Sequence, residues 1–475
     1  MPPKIEDFIQ KQELRSYFAH RLSAMFAREV PLYDTLVQTV REHNREILLA
    51  SSEQDHGFSL EALSTERHGA IRVAKPSEMR DVASLFRVLG MYPVEFYDLT
   101  KAPAGKRQPV ISTAFRPVRI PELERAPFRM FTSMLCVDDR RFFSEDISRR
   151  IREHVENRQI LSTRLKALIA KHDAEGGTRV SDAKAFLDEA IAVFAWNPKQ
   201  AVPEDLYEEL YRIAPIAADV ILEPHLNHLT PRSLDIEELH QRMSSKAAMK
   251  DHIEGPPARK TLVFLRQTSY KALAEEREVA GQGGATRTIQ HRARFGEIEQ
   301  RGVAMTPKGR ALYDQAIAAV AAGQNPQAAF ALIPDDHDQL REAELAYYRY
   351  EPTPKGLNAP PDATPISLRE LLEQGHLIAY PIRYEDFLPV SAAGIFGSNL
   401  DGGVAPHAES ASPYTSADLE AALGCKILDA EVIYAAQRAR SIVKAYGLIG
   451  REMPRNLSER VQADLLSDPR IDYGV

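Results

Sequence analysis

The sequence predicts an α+β protein in which a strand–helix–strands module occurs twice, the two copies enclosing a shared cleft with additional helical layers around them. Three observations predict it. The chain has 475 residues, more than one hydrophobic core usually serves, so two or more packed units are expected. Apolar spacing switches repeatedly between the alternation of strands and the three-to-four spacing of amphipathic helices. Finally, HGAIRVAKPSEMRDVASLF is echoed by NHLTPRSLDIEELHQRM, each a His-bearing strand that leads into an amphipathic helix.

Residues 1–60 read as an N-terminal helical layer, with Leu22, Met25, Phe26, Val30, Leu32, Leu36, Val37 and Val40 at helical spacing and Pro31 interrupting them. The first module follows over 61–137. HGAIRVA is a compact apolar strand, and PSEMRDVASLFRVLG is a helix with Ser77 as N-cap, Met79, Val82, Ala83, Phe86 and Leu89 as its buried stripe, and Gly90 as its end. YPVEFYDLT, QPVISTAFRPV and PFRMFTSMLCV supply further strands. Residues 138–222, with ILSTRLKALIAKH and AKAFLDEAIAVFAW, form a helical insertion anchored by Trp196. The second module covers 223–320: HLNHLTPR as strand, LDIEELHQRMSSK as a helix opened by Ser233 or Asp235, then RKTLVFLRQTSYKAL and FGEIEQRGVAMT as strands. GQGGATR lacks the Lys-Ser/Thr of a phosphate loop and reads as a mobile loop. Thr306-Pro307 start a helix, and 321–475 form a C-terminal region that contributes a cavity wall or lid.

Composition narrows the partners. Hydrophobic residues make up 44% and charged residues 27%, and no window approaches the roughly 20 unbroken apolar residues of a membrane span. The start, MPPKIEDFIQKQELRSYF, is too charged for a secretory signal and too acidic for a transit peptide, so a cytoplasmic protein is expected. Cys136 and Cys425 are the only cysteines, which excludes a disulfide framework or a thiolate metal cluster; both read as core thiols. Sixty basic against sixty-seven acidic residues give a net charge of −7 with no long basic run, so nucleic acid is not an expected partner.

Chemistry concentrates in three strand-like stretches: ERHGAIRV with His68, HLNHLTPR with His225 and His228, and ARFGEIEQRG with Glu297 and Glu299. Two imidazoles and one carboxylate on three corners of a metal leave the opposite corners for substrate and oxygen, the chemistry of a non-haem iron oxygenase. His225 and His228 point to opposite faces of a regular strand. His228 stands before Leu-Thr-Pro-Arg as His68 stands before Gly-Ala-Ile-Arg, whereas His225 follows Pro224 and remains the alternative ligand. Glu297 and Glu299 share a face, and one of them is expected to be a ligand, the other to pair with Arg301 or Arg294. His68, Ala70 and Arg72 also share a face, two strand steps apart, roughly 6–7 Å. Arg72 there suits one end of a short diacid; the alternative is an Arg satisfied by a local acid.

The grammar of both modules resembles the vicinal oxygen chelate superfamily, in which a first-strand His from each module and a last-strand Glu hold a divalent metal. More closely, ERHGAIRV, NHLTPR, LRQTSYKAL, FGEIEQRG and YEDFLPVSAAGIFGSNL together resemble the 2-oxoadipate dioxygenase/decarboxylase family, or 2-hydroxyglutarate synthases, over roughly residues 15–450. The resemblance implies Fe(2+) held by His68, His228 and Glu297, the last because FGEIEQR is similar to the FLEVIQR-type last strand of keto-acid dioxygenases. It implies a substrate-holding Arg72, with Val390 and Ser391 also on the substrate. The implied reaction turns 2-oxoadipate and O2 into 2-hydroxyglutarate and CO2, as in lysine breakdown: attack on the keto carbon expels CO2 and the shortened acid is hydroxylated. The substrate is then its own reductant, in keeping with a sequence that carries no dinucleotide fingerprint. Two other readings compete: a Zn- or Mn-dependent hydrolase or isomerase on the same fold, and a non-catalytic scaffold.

Overall fold

Strand β1, Arg67–Val73, is buried along its whole length, which is why HGAIRVA reads as a continuous apolar run rather than an alternating one. In the computed structural model, which describes residues 7–50, 60–101, 107–281, 285–388 and 413–468, it lies inside a five-stranded sheet. With β2 as Tyr92–Asp98, β3 as Val110–Arg116, β4 as Phe128–Leu135, β5 as Lys199–Pro203 and β6 as His228–Pro231, the sheet order is β2-β3-β4-β1-β6. β1 runs parallel to β4 and antiparallel to β6, while β2, β3 and β4 form an antiparallel meander.

The two faces of β1 have different company. Ile71 and Val73 join an apolar core with Phe18, Leu22 and Phe26 of helix Lys11–Glu29, with Phe86 of helix Pro76–Val88, and with Met130 of β4. Phe18 meets Phe86, Phe128 and Phe194 edge-on, at centroid separations of 5.5–6.4 Å, a geometry that aromatic quadrupoles favour. The opposite face, with Ala70, lies against Ile147 and Ile151 of helix Glu145–Val155, Leu206 and Leu210 of helix Glu204–Ile213, and helix Pro215–Ile221. The helices of 138–222 therefore serve both faces, because Thr163–Glu175 and Val180–Ala192 send Leu165 and Phe186 into the first core.

Several local expectations are corrected. Helix Pro76–Val88 starts at Pro76 with Lys75 at the cap position, so Ser77 is not the N-cap; the Glu78 carboxylate accepts from Ala74 N at 2.8 Å instead. Gly90 does close that helix, with φ 67°, a conformation glycine adopts without strain. Asp235, not Ser233, caps helix Ile236–Ser244 by accepting from Glu237 N and Glu238 N. Trp196 is not buried in the helical layer: Arg277 and Arg294 lie over its ring at 3.3 and 4.0 Å. Both cysteines are free, Cys136 buried and Cys425 part-buried.

The second module uses shorter strands than its apolar runs suggest. β7, Leu265–Ser269, and β10, Glu297–Arg301, make a two-stranded sheet. Between them an unexpected antiparallel hairpin, β8 (Ala274–Ala280) and β9 (Thr286–Arg292), flanks the glycines; residues 282–284 of the expected loop lie outside the described residues. β5 adds to β8 in parallel. Arg232, just past β6, bridges in parallel to Glu299 of β10. In each module, then, the His-bearing strand runs parallel to the module's last strand, and the two His-bearing strands are antiparallel to each other.

Met1–Glu254, Gln267–Gln300 and Phe387–Ile427 form one compact unit, and Gly255–Arg266, Arg301–Asp386 and Leu428–Val475 another. The second contains helix Pro307–Ala321, capped by Thr306, an antiparallel pair Tyr348–Pro352 and Leu377–Pro381, and the long helix Ala430–Ile449. No described helix is long and apolar enough to cross a membrane.

Gly296 marks the tightest point near β10. A Cβ there would lie 2.1 Å from Cε1 of the buried Tyr270 ring, so Gly296→Ala forces the backbone just before Glu297 to move. The expected loss is about 1–3 kcal/mol, read as a lower denaturant midpoint at unchanged m-value, with wild-type behaviour arguing against this packing.

Candidate metal centre

His68, His228 and Glu297 meet on the face of the sheet turned away from the N-terminal helices. The register explains it: His68 lies opposite Thr230 and Ala70 opposite His228, so the even residues of β1 share a face with both. Their donor atoms all lie within 4.8 Å of one another, and the three side chains are 1–3% exposed. His68 Nε2 is 2.9 Å from Glu297 Oε1. The two imidazoles stand edge to face with centroids 5.2 Å apart.

The surrounding groups fix each donor. Thr230 donates its hydroxyl to Glu297 Oε1 at 3.1 Å and sits 3.0 Å from His228 Nδ1. Because that hydroxyl proton is committed to Glu297, Thr230 can only accept from His228, which assigns the proton to Nδ1 and leaves Nε2 bare. His68 Nδ1 is 3.0 Å from Glu299 Oε2, so this ring lies between two carboxylates. Phe387 packs edge-on against His68 at 4.9 Å and Phe295 stacks on His228 at 4.9 Å, closing the sides with apolar surface.

Burial alone disfavours a charged imidazole, and at His228 it wins, pushing the pKa down to about 3. At His68 burial acts in the same direction, but the Glu299 and Glu297 carboxylates outweigh it and the pKa is raised. Glu297 is held below the usual carboxylate range, its own burial being outweighed by His228 and His68. Of the two rings, the one between carboxylates keeps the proton.

This donor set fits a first-row divalent ion. Ligands about 2.1 Å from a metal and at right angles to it are about 3.0 Å apart, and the 2.9 Å His68–Glu297 edge matches. His228 is already in the neutral, Nδ1-protonated form that a metal takes.

The other expected residues fall in different places. His225 is not with this cluster: it precedes β6 and is not part of the strand, and its Nε2 lies 3.3 Å from Asp219 Oδ1. Glu299 is beside His68, and Arg294 is engaged by Glu275 and Glu29. Arg72 shares the face of His68, but four residues of strand separate their Cα atoms by about 13 Å, twice the expected step. Its Nη1 meets Asp219 Oδ2 at 2.5 Å, so a local acid does engage it. Val390 and Ser391 lie outside the described residues. Thr230, Phe387 and Asp219 were not anticipated; Thr230 alone carried a signal, two residues from His228 on the same strand face.

The proton on His68 must leave before its Nε2 can bind a metal. Since the folded pKa is above 6.5, Mn(II) titrated into metal-free protein at pH 6 is expected to release about one proton. Release should fall to zero as pH rises through the His68 pKa, and metal affinity should drop on acidification; calorimetry in buffers of different ionisation enthalpy measures it, and no release at pH 6 refutes the assignment. Glu299→Gln removes an outer partner of the ring, and a 10–100-fold, roughly, weaker metal affinity is expected in the same titration.

Comparison with known proteins identifies the family. The family model for 2-oxoadipate dioxygenase/decarboxylase matches residues 18–399. A relative named 2-oxoadipate dioxygenase/decarboxylase from Pseudomonas putida is 42% identical over 459 residues, 92% of this chain and 97% of that protein. The Escherichia coli protein of that name is 40% identical over 454 residues, 91% and 98% of the two chains. The crystal structure of hydroxyglutarate synthase from Pseudomonas putida in complex with 2-oxoadipate aligns with a TM-score of 0.81 at 38% identity, covering 93% of this chain and 99% of that one. By sequence and by fold, this chain belongs to the 2-oxoadipate dioxygenase/decarboxylase family.

Proposed function

We propose that this protein converts 2-oxoadipate and O2 into 2-hydroxyglutarate and CO2, with Fe(2+) held by His68, His228 and Glu297. The buried cluster of those two imidazoles and one carboxylate carries the reading. Bound there, the metal supplies open positions for a 2-oxo acid and for oxygen. The substrate loses one carbon as CO2, and the two atoms of O2 become an oxygen of the new carboxylate and the hydroxyl oxygen. The electrons come from the oxidised keto acid, so no further reductant enters.

The protein's own groups bind, orient and exclude water. Arg72, on the same strand face as His68, is the cation for the remote carboxylate; a guanidinium can hold a carboxylate through two parallel hydrogen bonds, which strengthen where water is excluded. Phe295 and Phe387 keep the cluster dry by covering the rings of His228 and His68, which raises the strength of every polar contact inside. Val390 and Ser391 complete the substrate contacts. In support, Phe387, three residues before Val390 in the sequence, touches His68.

Oxygen consumption and CO2 release by the iron-loaded protein with 2-oxoadipate are expected to match one to one and to stop together when oxygen is withdrawn. His68→Ala is expected to lose bound iron and both signals. Turnover that continues without oxygen overturns the reading in favour of hydrolysis or isomerisation.

A further inference from the structure

Asp219 lies on helix Pro215–Ile221, buried against the site-bearing face of the sheet. Its Oδ2 receives Arg72 Nη1 at 2.5 Å and Asn227 Nδ2 at 3.0 Å. Its Oδ1 lies 2.8 Å from His291 Nε2 and 3.3 Å from His225 Nε2. The chain of contacts continues outward. Tyr207 OH is 2.7 Å from His291 Nδ1, an arrangement in which Tyr207 donates to Nδ1 and Nε2–H donates to Asp219. Arg277 Nη2 is 3.2 Å from His225 Nδ1, with its guanidinium over Trp196. Asp219 stays ionised: its own burial opposes this, but His225 and Arg72 hold its pKa well below the usual value.

From this juxtaposition we infer that Asp219 is a positioning residue that holds the Arg72 guanidinium at a set distance from the His68–His228–Glu297 cluster and so measures the chain length of the diacid. The inference rests on the reading of Arg72 as partner of the remote carboxylate. An arginine on a free stem follows a shorter or longer substrate by changing rotamer. One tied to a fixed carboxylate does not. Asp219 is itself held on several sides, so the tie is rigid. A guanidinium presents five N–H donors in a planar fork, and one carboxylate on Nη1 is compatible with a second in the same plane. With one end of the substrate at the cluster and the other at a fixed cation, a missing methylene leaves a gap and an extra one a clash. A single methylene is worth about 10–200-fold in discrimination.

A purely structural Asp219 would affect stability and leave the preference between substrates untouched. The test therefore compares 2-oxoadipate with 2-oxoglutarate, one methylene shorter. Trp196 is the only tryptophan in the chain and lies edge-on to His225 at 4.9 Å, so its emission gives dissociation constants for both acids on anaerobic, metal-loaded protein without turnover. Asp219→Asn keeps the shape and removes the charge. The ratio of the two constants is expected to fall by about tenfold or more at unchanged metal content, with the kcat/KM ratio following. An unchanged ratio in folded, metal-loaded Asp219→Asn overturns the inference. Should that variant not fold, Tyr207→Phe carries the same test with a smaller expected fall, roughly two- to tenfold, and an unchanged ratio there overturns it equally. Arg72→Lys separates the two levels. If it weakens 2-oxoadipate binding while Asp219→Asn keeps the ratio, only the role of Asp219 fails. If Arg72→Lys leaves both affinity and ratio intact, the reading of Arg72 fails and takes this inference with it.

Discussion

The antiparallel register between β1 and β6 is the constraint on which the site depends. His68 faces Thr230 and Ala70 faces His228, and this pairing alone puts one imidazole from each module on the same face. Side chains alternate strictly along a strand, so a slip of one residue would send His228 and Thr230 into the apolar core and bring Leu229 out. The apolar face prevents that slip. Leu229 is fully buried beside Ile71, Met130 and Leu226 in that core, and Gly69, which pairs with Leu229, lets the layer close. A Cβ on Gly69 would sit 3.0 Å from both Leu226 Cδ1 and Met130 Cε. The hydrophobic side of the sheet thus sets the geometry of the polar side.

That polar side is costly for stability. Arg129 and Arg232, both buried, share the carboxylate of Glu66, at 2.9 and 3.2 Å, and Arg72 is buried with Asp219. Ion pairs taken out of water are often no more stable than apolar residues of similar volume, so thermodynamic gain is a poor reason for a sheet face to carry so many. On the proposed function there is a better one, since cations held in place before an acidic ligand arrives need not be reorganised. The helices of 138–222 make this possible by roofing the face with Ile147, Ile151, Leu206 and Leu210, which keeps the charges away from bulk water.

Much of this was legible in the sequence because the signals were local. HGAIRVA is a short, mostly apolar run, so a lone His and Arg within it stand out, whereas His225 lies before β6 rather than on it, so strand alternation does not account for its separation from His228. The residues that stayed hidden act through partners distant in the chain. Asp219 sits in PIAADVI, an ordinary apolar helix whose sequence says nothing of a carboxylate that meets Arg72, 147 positions away. The hairpin of β8 and β9 was missed because AEEREVA carries four charged residues in seven and no strong two-residue alternation. Trp196 was misread because aromatic content in a helical stretch signals a core, whereas two guanidinium planes brought by the second module decide its surroundings. Ser77 lost the cap to a Glu78 side chain reaching back to Ala74 N, an exchange that depends on helix geometry rather than residue preference.

Glu297 and Glu299 show how two like residues on one face come to divide the work. Both approach His68, but from opposite nitrogens: Glu297 at Nε2 and Glu299 at Nδ1. A ring can give only one nitrogen to a metal, and the other does best as an N–H donor to a carboxylate, which fixes the ring plane and makes the ligand more basic. His228 is within reach of Glu297 through Thr230, so the carboxylate that sits between the two imidazoles is the one that can join them on a shared ion. Glu299 instead belongs to the ring's far side, 3.0 Å from Nδ1, where it is placed to keep a proton on that nitrogen while Nε2 faces Glu297. Exchanging the two roles would require His68 to turn over, breaking its contacts with both carboxylates and its packing on Phe387 at once.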